Sequence, residues 1–402
     1  MLDFYPPKLN PALVKCCQWA APPIARWRNR MVLKIQPEDL QILERLKGDR
    51  LLLLPNHPTY YDDWFAVFLL SGRLGIPFYY LAAHERFRGL EGHLIQRLGA
   101  YSIRRGLGDR ASVTQTMKLL LQPTVRLVIF PEGGCSFQND TVMPFRVGAV
   151  QVALQALTKL AKAGGSLPNL YVVPLSIKYR YTRDMTRIIH RTLSRLEKAL
   201  GIGPGAIASL TFYQRLRRVA EKVLTQFEVE YGMMPVVSDA ASWNDRIVMI
   251  KAHLLQHCEK TLGIVPPPGK LVRERVYKIQ SVLEARADSL AANDFWTYEI
   301  IHRVAASLLN FDAIYDGYVA ASPTPERFLD TLIRLERQVF QIDYPPPKAH
   351  RQVLIRVGTP MNLRDYYDDY RRDRNHTITT LSETLQNKVQ QNLDELNGLN
   401  QH

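Results

Sequence analysis

Residues 51–64, LLLLPNHPTYYDDW, put a histidine and a carboxylate five positions apart just beyond a run of leucines. An imidazole beside a carboxylate is a proton-transfer device. The acid accepts the Nδ1–H, fixes the tautomer and leaves Nε2 able to take a proton from a hydroxyl. Among the ten histidines only His57 has an aspartate at this spacing, Asp62. Asp62 also follows Thr59 by three residues, a capping-box spacing that predicts a helix starting near Thr59. Taken alone, the pair could equally be a turn histidine beside a helix cap. Asp63 reads as a second, solvated or capping carboxylate that could rescue Asp62 in part.

Three further segments bear on the choice. Residues 99–106, GAYSIRRG, set Arg104 and Arg105 directly after a short strand. Guanidinium groups hold phosphate by paired hydrogen bonds, although two turn arginines in isolation are more often solvated. Residues 130–136, FPEGGCS, close the most apolar strand in a turn containing Glu132, Gly133 and Gly134. Glycine there permits a tight turn and close backbone approach to a ligand. Residues 172–175, VVPL, give a strand with an internal proline, and PFRVGA carries Arg146. Cys135 has no second histidine placed to activate it, so it reads as a small packed residue.

These residues need a scaffold, and the chain supplies one. From 50 to 180, the strand-like runs RLLLLP, FYYLAA, AYSIRR, VRLVIFPEGG and LYVVPLSIKY alternate with helix-like stretches. That pattern predicts an α/β fold with a mixed, mostly buried sheet flanked by helices. From about 186 to 340 the text is helical. Phe212, Leu216, Val219, Val223 and Phe227 recur at helical spacing, as do Val272, Val276, Ile279, Leu283 and Leu290. QVLIRVGTPMNL then returns as a lone strand, and a lone strand must join a sheet elsewhere. The helical block is therefore expected to be a large all-helical insertion. A final helix carries Leu381, Leu385, Val389, Leu393 and Leu396 on one stripe. Expected divisions are 1–45, N-terminal amphipathic helices; 46–185, the α/β domain; 186–345, the insertion; and 346–402, the returning strand and C-terminal helix.

The first 35 residues are expected to form a short helix broken at Pro22-Pro23 and a second with Ile24, Trp27 and Met31 on one face. Arg26, Arg28 and Arg30 flank them, so this segment either lies in the headgroup layer of a bilayer or caps the core. Lys and Arg number 52 against 38 Asp and Glu, a formal net charge of +14. Such a chain favours anionic partners, and no nucleic-acid-binding signature accompanies the charge. The four cysteines show neither C-x-x-C pairing nor metal-ligand spacing, which points to reduced thiols. No run of apolar residues is long enough to span a bilayer.

In order and spacing the four segments resemble the glycerolipid acyltransferase family, typified by lysophosphatidate and glycerol-3-phosphate acyltransferases. Its blocks are N-H-x4-D, G-x-x-F-I-x-R, F-P-E-G and V-P-[VIL]. The resemblance covers about residues 50–180 and extends to VLIRVGTPMNL. It implies that His57 is the base that deprotonates an acceptor hydroxyl and that Asp62 orients it. The acceptor then attacks an acyl-CoA or acyl carrier protein thioester directly, in phospholipid biosynthesis or remodelling. Arg105 matches the arginine that binds the acceptor phosphate, with Arg104 a basic extra. Glu132 and Gly133 match the turn that shapes the acceptor site, and Arg146 a second phosphate contact. No metal or cofactor beyond the carrier thioester is implied. A lysophospholipid or glycerol phosphate would be the acceptor, and the protein would sit peripherally on the cytoplasmic face of a membrane.

The sequence departs from the family at Gly134-Cys135, where Thr-Arg is usual, and at Ser102, where an aromatic is usual. The missing arginine weakens lysophosphatidate as the acceptor. Two other functions compete: an acyl-thioester hydrolase that uses the same pair with water in place of the alcohol, and a non-catalytic lipid-binding protein that uses the helical block. The intact His57, Asp62, Arg105 and Glu132 argue against the second.

Overall fold

A computed structural model of the chain describes every residue except 1–3, 60–61, 107, 165, 207–208, 234–241, 267, 287–294, 313 and 399–402. Leu290, assigned above to a helical stripe, lies outside the described residues. The chain divides into two compact units. One comprises residues 1–104, 108–182 and 349–402, the other 105–107 and 183–348.

The first unit is built on an eight-stranded sheet. In chain order it opens with α1 (Pro11–Trp27), β1 (Met31–Ile35), α2 (Pro37–Arg45), β2 (Arg50–Pro55) and α3 (Asp62–Leu74). Next come β3 (Tyr79–Ala83), α4 (Gly89–Arg97), β4 (Ala100–Ile103), α5 (Arg110–Leu120), β5 (Val125–Val128), α6 (Gly148–Lys162) and β6 (Leu170–Tyr181). The second unit holds α7 (Thr186–Ala199), α8 (Phe212–Glu230), α9 (Trp243–Leu262), α10 (Val272–Arg286), α11 (Phe295–Phe311), α12 (Tyr318–Ala321) and α13 (Pro325–Phe340). The chain then re-enters the first unit with β7 (Arg351–Val357), β8 (Met361–Asn362), α14 (Tyr367–Arg372) and α15 (Arg374–Gly398).

Strand order is β1-β7-β6-β2-β5-β3-β4, with β8 pairing β6. β6, β2, β5, β3 and β4 run parallel, while β7 is antiparallel to β6 and parallel to β1. Parallel strands covered on both faces read as continuous apolar runs, and Leu51, Leu52, Leu53 and Leu54 are all fully buried. Alternate leucines feed two cores. Leu51 and Leu53 face one that includes α1 and α3; Leu52 and Leu54 face another that includes α5, α6 and α15. The returning strand enters the sheet with seven register pairs against β6, and α15 buries Leu381, Leu385, Val389, Leu393 and Leu396.

Two local expectations fail at the N-terminus. α1 runs unbroken through Pro22 and Pro23, both exposed, and Met31 opens β1 rather than continuing a helix. The reason is tertiary. Val14, Gln18, Ala21 and Ala25 form a buried face on α1. A Cβ on Gly72 of α3 would stand 3.5 Å from Gln18, so the two helices pack closely. Gln18 also donates to Ser71 Oγ at 3.0 Å and to the Ile76 carbonyl at 3.2 Å. This packing outweighs the two hydrogen bonds the prolines remove. Ser102, the second departure from the family, is buried in edge strand β4. Its hydroxyl accepts the Tyr5 N–H at 2.9 Å and its own N–H reaches the Tyr5 carbonyl at 3.0 Å. The N-terminal segment thus covers an edge that would otherwise offer unpaired backbone.

The second unit is stitched by a repeated device. Glu197 of α7 pairs with Arg215 of α8, Glu228 of α8 with Arg246 of α9, and Glu259 of α9 with Arg275 of α10. Each arginine donates through both Nε and Nη2, a bidentate geometry that keeps a buried charge satisfied.

Candidate active site

In a parallel sheet, side chains from different strands converge where the carboxyl ends of the strands open into loops. Here β2 delivers residues 56–59, β5 delivers residues 129–140 and β4 delivers Arg104 to the same end of the sheet.

The turn after β2 is fixed from both sides. Beyond the last β2–β6 pair, Asn56 continues the ladder with its side chain. Its Oδ1 accepts the Ile177 N–H at 2.7 Å, and its Nδ2 donates to the Ile177 carbonyl at 3.0 Å. Asn139 repeats this two residues on, accepting the Tyr179 N–H at 2.7 Å and donating to the Tyr179 carbonyl. The backbone of His57 is held by the FPEGGCS loop. Glu132 Oε1 accepts the His57 N–H at 2.6 Å, and the Ser136 N–H donates to the His57 carbonyl at 2.8 Å. The second oxygen of Glu132 accepts the Met143 N–H at 3.1 Å. Buried Glu132 is therefore a loop clamp, its oxygens taken up by main-chain donors.

The His57 ring centroid lies 4.5 Å from that of Phe130, the two rings tilted by 36°, and its Nδ1 lies 2.6 Å from Asp63 Oδ2. An ionised carboxylate can only accept, so the proton sits on Nδ1 and Nε2 carries the free lone pair. The partner is Asp63, not Asp62, which corrects the sequence expectation. Asp63 is fully buried and accepts three more hydrogen bonds: the Thr59 N–H at 2.8 Å, the Thr59 hydroxyl at 2.6 Å and the Tyr179 hydroxyl at 2.8 Å. Thr59 thus binds Asp63 rather than forming the expected capping pair with Asp62. Asp62 turns the other way. It accepts from Asn29 Nδ2 at 2.8 Å and forms an ion pair with Arg351 at the start of β7. Successive helical residues point about 100° apart, so once Arg351 takes Asp62 the next residue faces the imidazole.

Electrostatics reinforce this partition. Burial pushes the Tyr179 hydroxyl well above its usual pKa, and the Asp63 and Asp62 charges push it the same way, so it stays a neutral donor. Burial works against the Arg351 cation, but Asp62, Tyr181 and Tyr179 outweigh it and leave its pKa raised. The Arg351 guanidinium also lies 4.8 Å from the Tyr179 ring centroid.

The remaining expected residues fall as follows. Gly133 has φ +72°, and a Cβ there would stand 2.6 Å from Arg146 Nε, so the missing side chain admits the Arg146 guanidinium to the loop. The Arg146 N–H donates to the Pro131 carbonyl at 2.8 Å, which closes the same loop. Arg104 follows β4, three strand positions from β2 and so roughly 14 Å along the sheet. Its N–H is bound by Asp109 Oδ2 at 2.9 Å. Arg105 belongs to the helical unit. Its guanidinium lies 4.5 Å from the Tyr277 ring centroid, with Nη1 3.1 Å from the Tyr277 hydroxyl. Sequence reasoning missed Tyr179, Asn139 and Ser136 as parts of the site and gave Asp63 only a secondary place behind Asp62. Only Asp63 and Ser136 had a signal, through their places beside quoted motifs.

Residues 35–178 match the family model described as Acyltransferase. The match spans every residue named above as catalytic or substrate-binding. It is the glycerolipid acyltransferase family that the four motifs resemble, so residues 35–178 carry an acyltransferase-family domain, which supports an acyltransferase activity. No curated protein matches the chain. Among the described residues no helix is long and apolar enough to cross a membrane.

Proposed function

We propose that the protein is an O-acyltransferase that moves a fatty acyl group from an acyl-CoA or acyl carrier protein thioester to the hydroxyl of a lysophospholipid or glycerol phosphate. The observation that carries this reading is the Asp63–His57 hydrogen bond, set in a turn whose backbone is held by Glu132 and Ser136. His57 Nε2 takes the acceptor hydroxyl proton as the oxygen attacks the thioester carbonyl carbon. The tetrahedral adduct then collapses, the C–S bond breaks, and the imidazolium returns the proton to the departing thiolate. A positioned base of this kind contributes typically about 10²–10⁴-fold. Asp63 positions the ring and offsets its transient charge. Arg104 and Arg146 are assigned to the acceptor phosphate, and Gly133 keeps the loop open for Arg146.

A membrane surface suits such an acceptor, and α1 supports that placement. Trp19 and Trp27 on it are 79% and 85% exposed. Lys15 and Arg26, also exposed, share the helix. Tryptophan beside basic residues on one helix is the composition of a segment lying in the headgroup layer. Peripheral attachment to the cytoplasmic face, where anionic lipids attract basic segments, follows from the same charge.

The test incubates the full chain with labelled acyl-CoA or acyl carrier protein and one acceptor at a time: glycerol 3-phosphate, lysophospholipids in anionic vesicles, or none. Acceptor-dependent product, lost by about 10²-fold or more in His57→Ala, is the expected result. Release of free acid that no acceptor alters would replace the proposal with a thioesterase.

A further inference from the structure

The carboxylate that holds His57 is itself held from β6, and nothing in the family blocks accounts for that contact. Tyr179 lies one residue beyond the segment matched to the family. Its hydroxyl donates to Asp63 Oδ1 at 2.8 Å, while Oδ2 of the same carboxylate takes the His57 Nδ1–H at 2.6 Å. Tyr179 is buried, its backbone is locked by Asn139, and its ring is covered by the Arg351 guanidinium. The phenol therefore has one orientation, aimed at the acid.

We propose that Tyr179 is a positioning residue for the acyl transfer: it fixes Asp63 toward His57 and, by sharing the carboxylate's charge, sets the basicity of the imidazole. This rests on the assignment of His57 as base. A hydroxyl donated to a carboxylate draws charge from it and weakens its pull on the imidazolium. Removing that donor concentrates charge on the oxygen facing Nδ1 and strengthens the pull. Other charged groups face the same chain. Glu132 binds the His57 N–H from the β5 loop, and Asp62 and Arg351 lie beside Tyr179 as a neutralised pair. Since Arg351 is matched to Asp62, its cation leaves the Asp63 charge for Thr59, Tyr179 and His57 to share, and Thr59 keeps its two hydrogen bonds in every variant of Tyr179.

Tyr179→Phe tests this directly, because it deletes one oxygen and keeps the ring under Arg351. The expected outcome is a kcat lower by about five- to twentyfold, the effect of one lost hydrogen bond to a charged group. In addition, the limb of the kcat/KM profile reporting the imidazole moves to higher pH by about half a unit or more. Replacing Tyr179 by 3-fluorotyrosine keeps the hydroxyl, makes it a stronger donor and should move the limb the opposite way. That second variant keeps the proposal testable if the phenylalanine protein folds poorly. A profile unmoved in the fluorotyrosine variant, or a rate loss in Tyr179→Phe without any shift, would overturn the proposal and leave Tyr179 as packing. His57→Ala separates the two claims. If it transfers acyl groups at the wild-type rate, the base assignment fails. If it is inactive and neither Tyr179 variant moves the profile, only the role of Tyr179 fails.

Discussion

His57 was legible from residue types and spacing alone, and its partner was not. The count from His57 to the first acid selects Asp62, which also fits a cap, and sequence offers no way to see that Arg351 captures it from 289 positions away. Adjacent carboxylates at the start of α3 are equivalent on paper and opposite in space. One ties helix to sheet and the other ties helix to imidazole. The same limit applies to Glu132: the motif that contains it was readable, but its clamp on the His57 N–H emerges only when the β2 and β5 loops meet. Tyr179 carried no signal at all, because a tyrosine in an apolar strand reads as core.

Elements were legible where pattern and packing agree. The apolar runs at β2, β5 and β6 and the helical stripe of α15 follow from pattern, and the return of β7 to the sheet follows from the instability of a lone strand. β1 escaped notice because MVLKI is short and its partner, β7, lies some 320 residues downstream. The double proline misled because exposed prolines on a well-packed helix cost less than the packing gains. One element-scale consequence is testable at Asn56. Its side chain stands in for a missing strand neighbour, so Asn56→Ala strands both buried backbone groups of Ile177. The expected cost is about 2–4 kcal/mol, read as a lower urea midpoint with an unchanged slope. A loss under 0.5 kcal/mol would mean that β6 does not depend on this mimicry.

At the scale of the molecule, buried tyrosines set a limit at high pH. Burial raises the hydroxyl pKa of Tyr80, Tyr101 and Tyr179, with the Asp63 and Asp62 charges adding to the last. The folded state thus holds these protons more tightly than the unfolded state. Their stabilisation is fully present below about pH 10 and is lost as pH rises through the unfolded value toward the folded one. Each group should remove about 1.4 kcal/mol per pH unit in that window. Urea midpoints at pH 9, 10 and 11 should therefore fall steeply across the last interval. A flat response would mean that these hydroxyls can ionise in place. The helical unit, legible in sequence as a block of stripes, owes its stitching to glutamate–arginine pairs that no stripe reveals.

The decisive comparison is between Asp62→Asn and Asp63→Asn, each measured for kcat/KM on the folded fraction and for stability. Asp63→Asn should lower kcat/KM by about 10²-fold or more, because the amide no longer holds the imidazole in its working tautomer. Asp62→Asn should keep kcat/KM within about tenfold and instead lose about 3–5 kcal/mol of stability, since it leaves the Arg351 charge buried without its partner. If instead Asp62→Asn abolishes transfer while Asp63→Asn stays near wild type, the imidazole works with the other acid and the site described above is wrong.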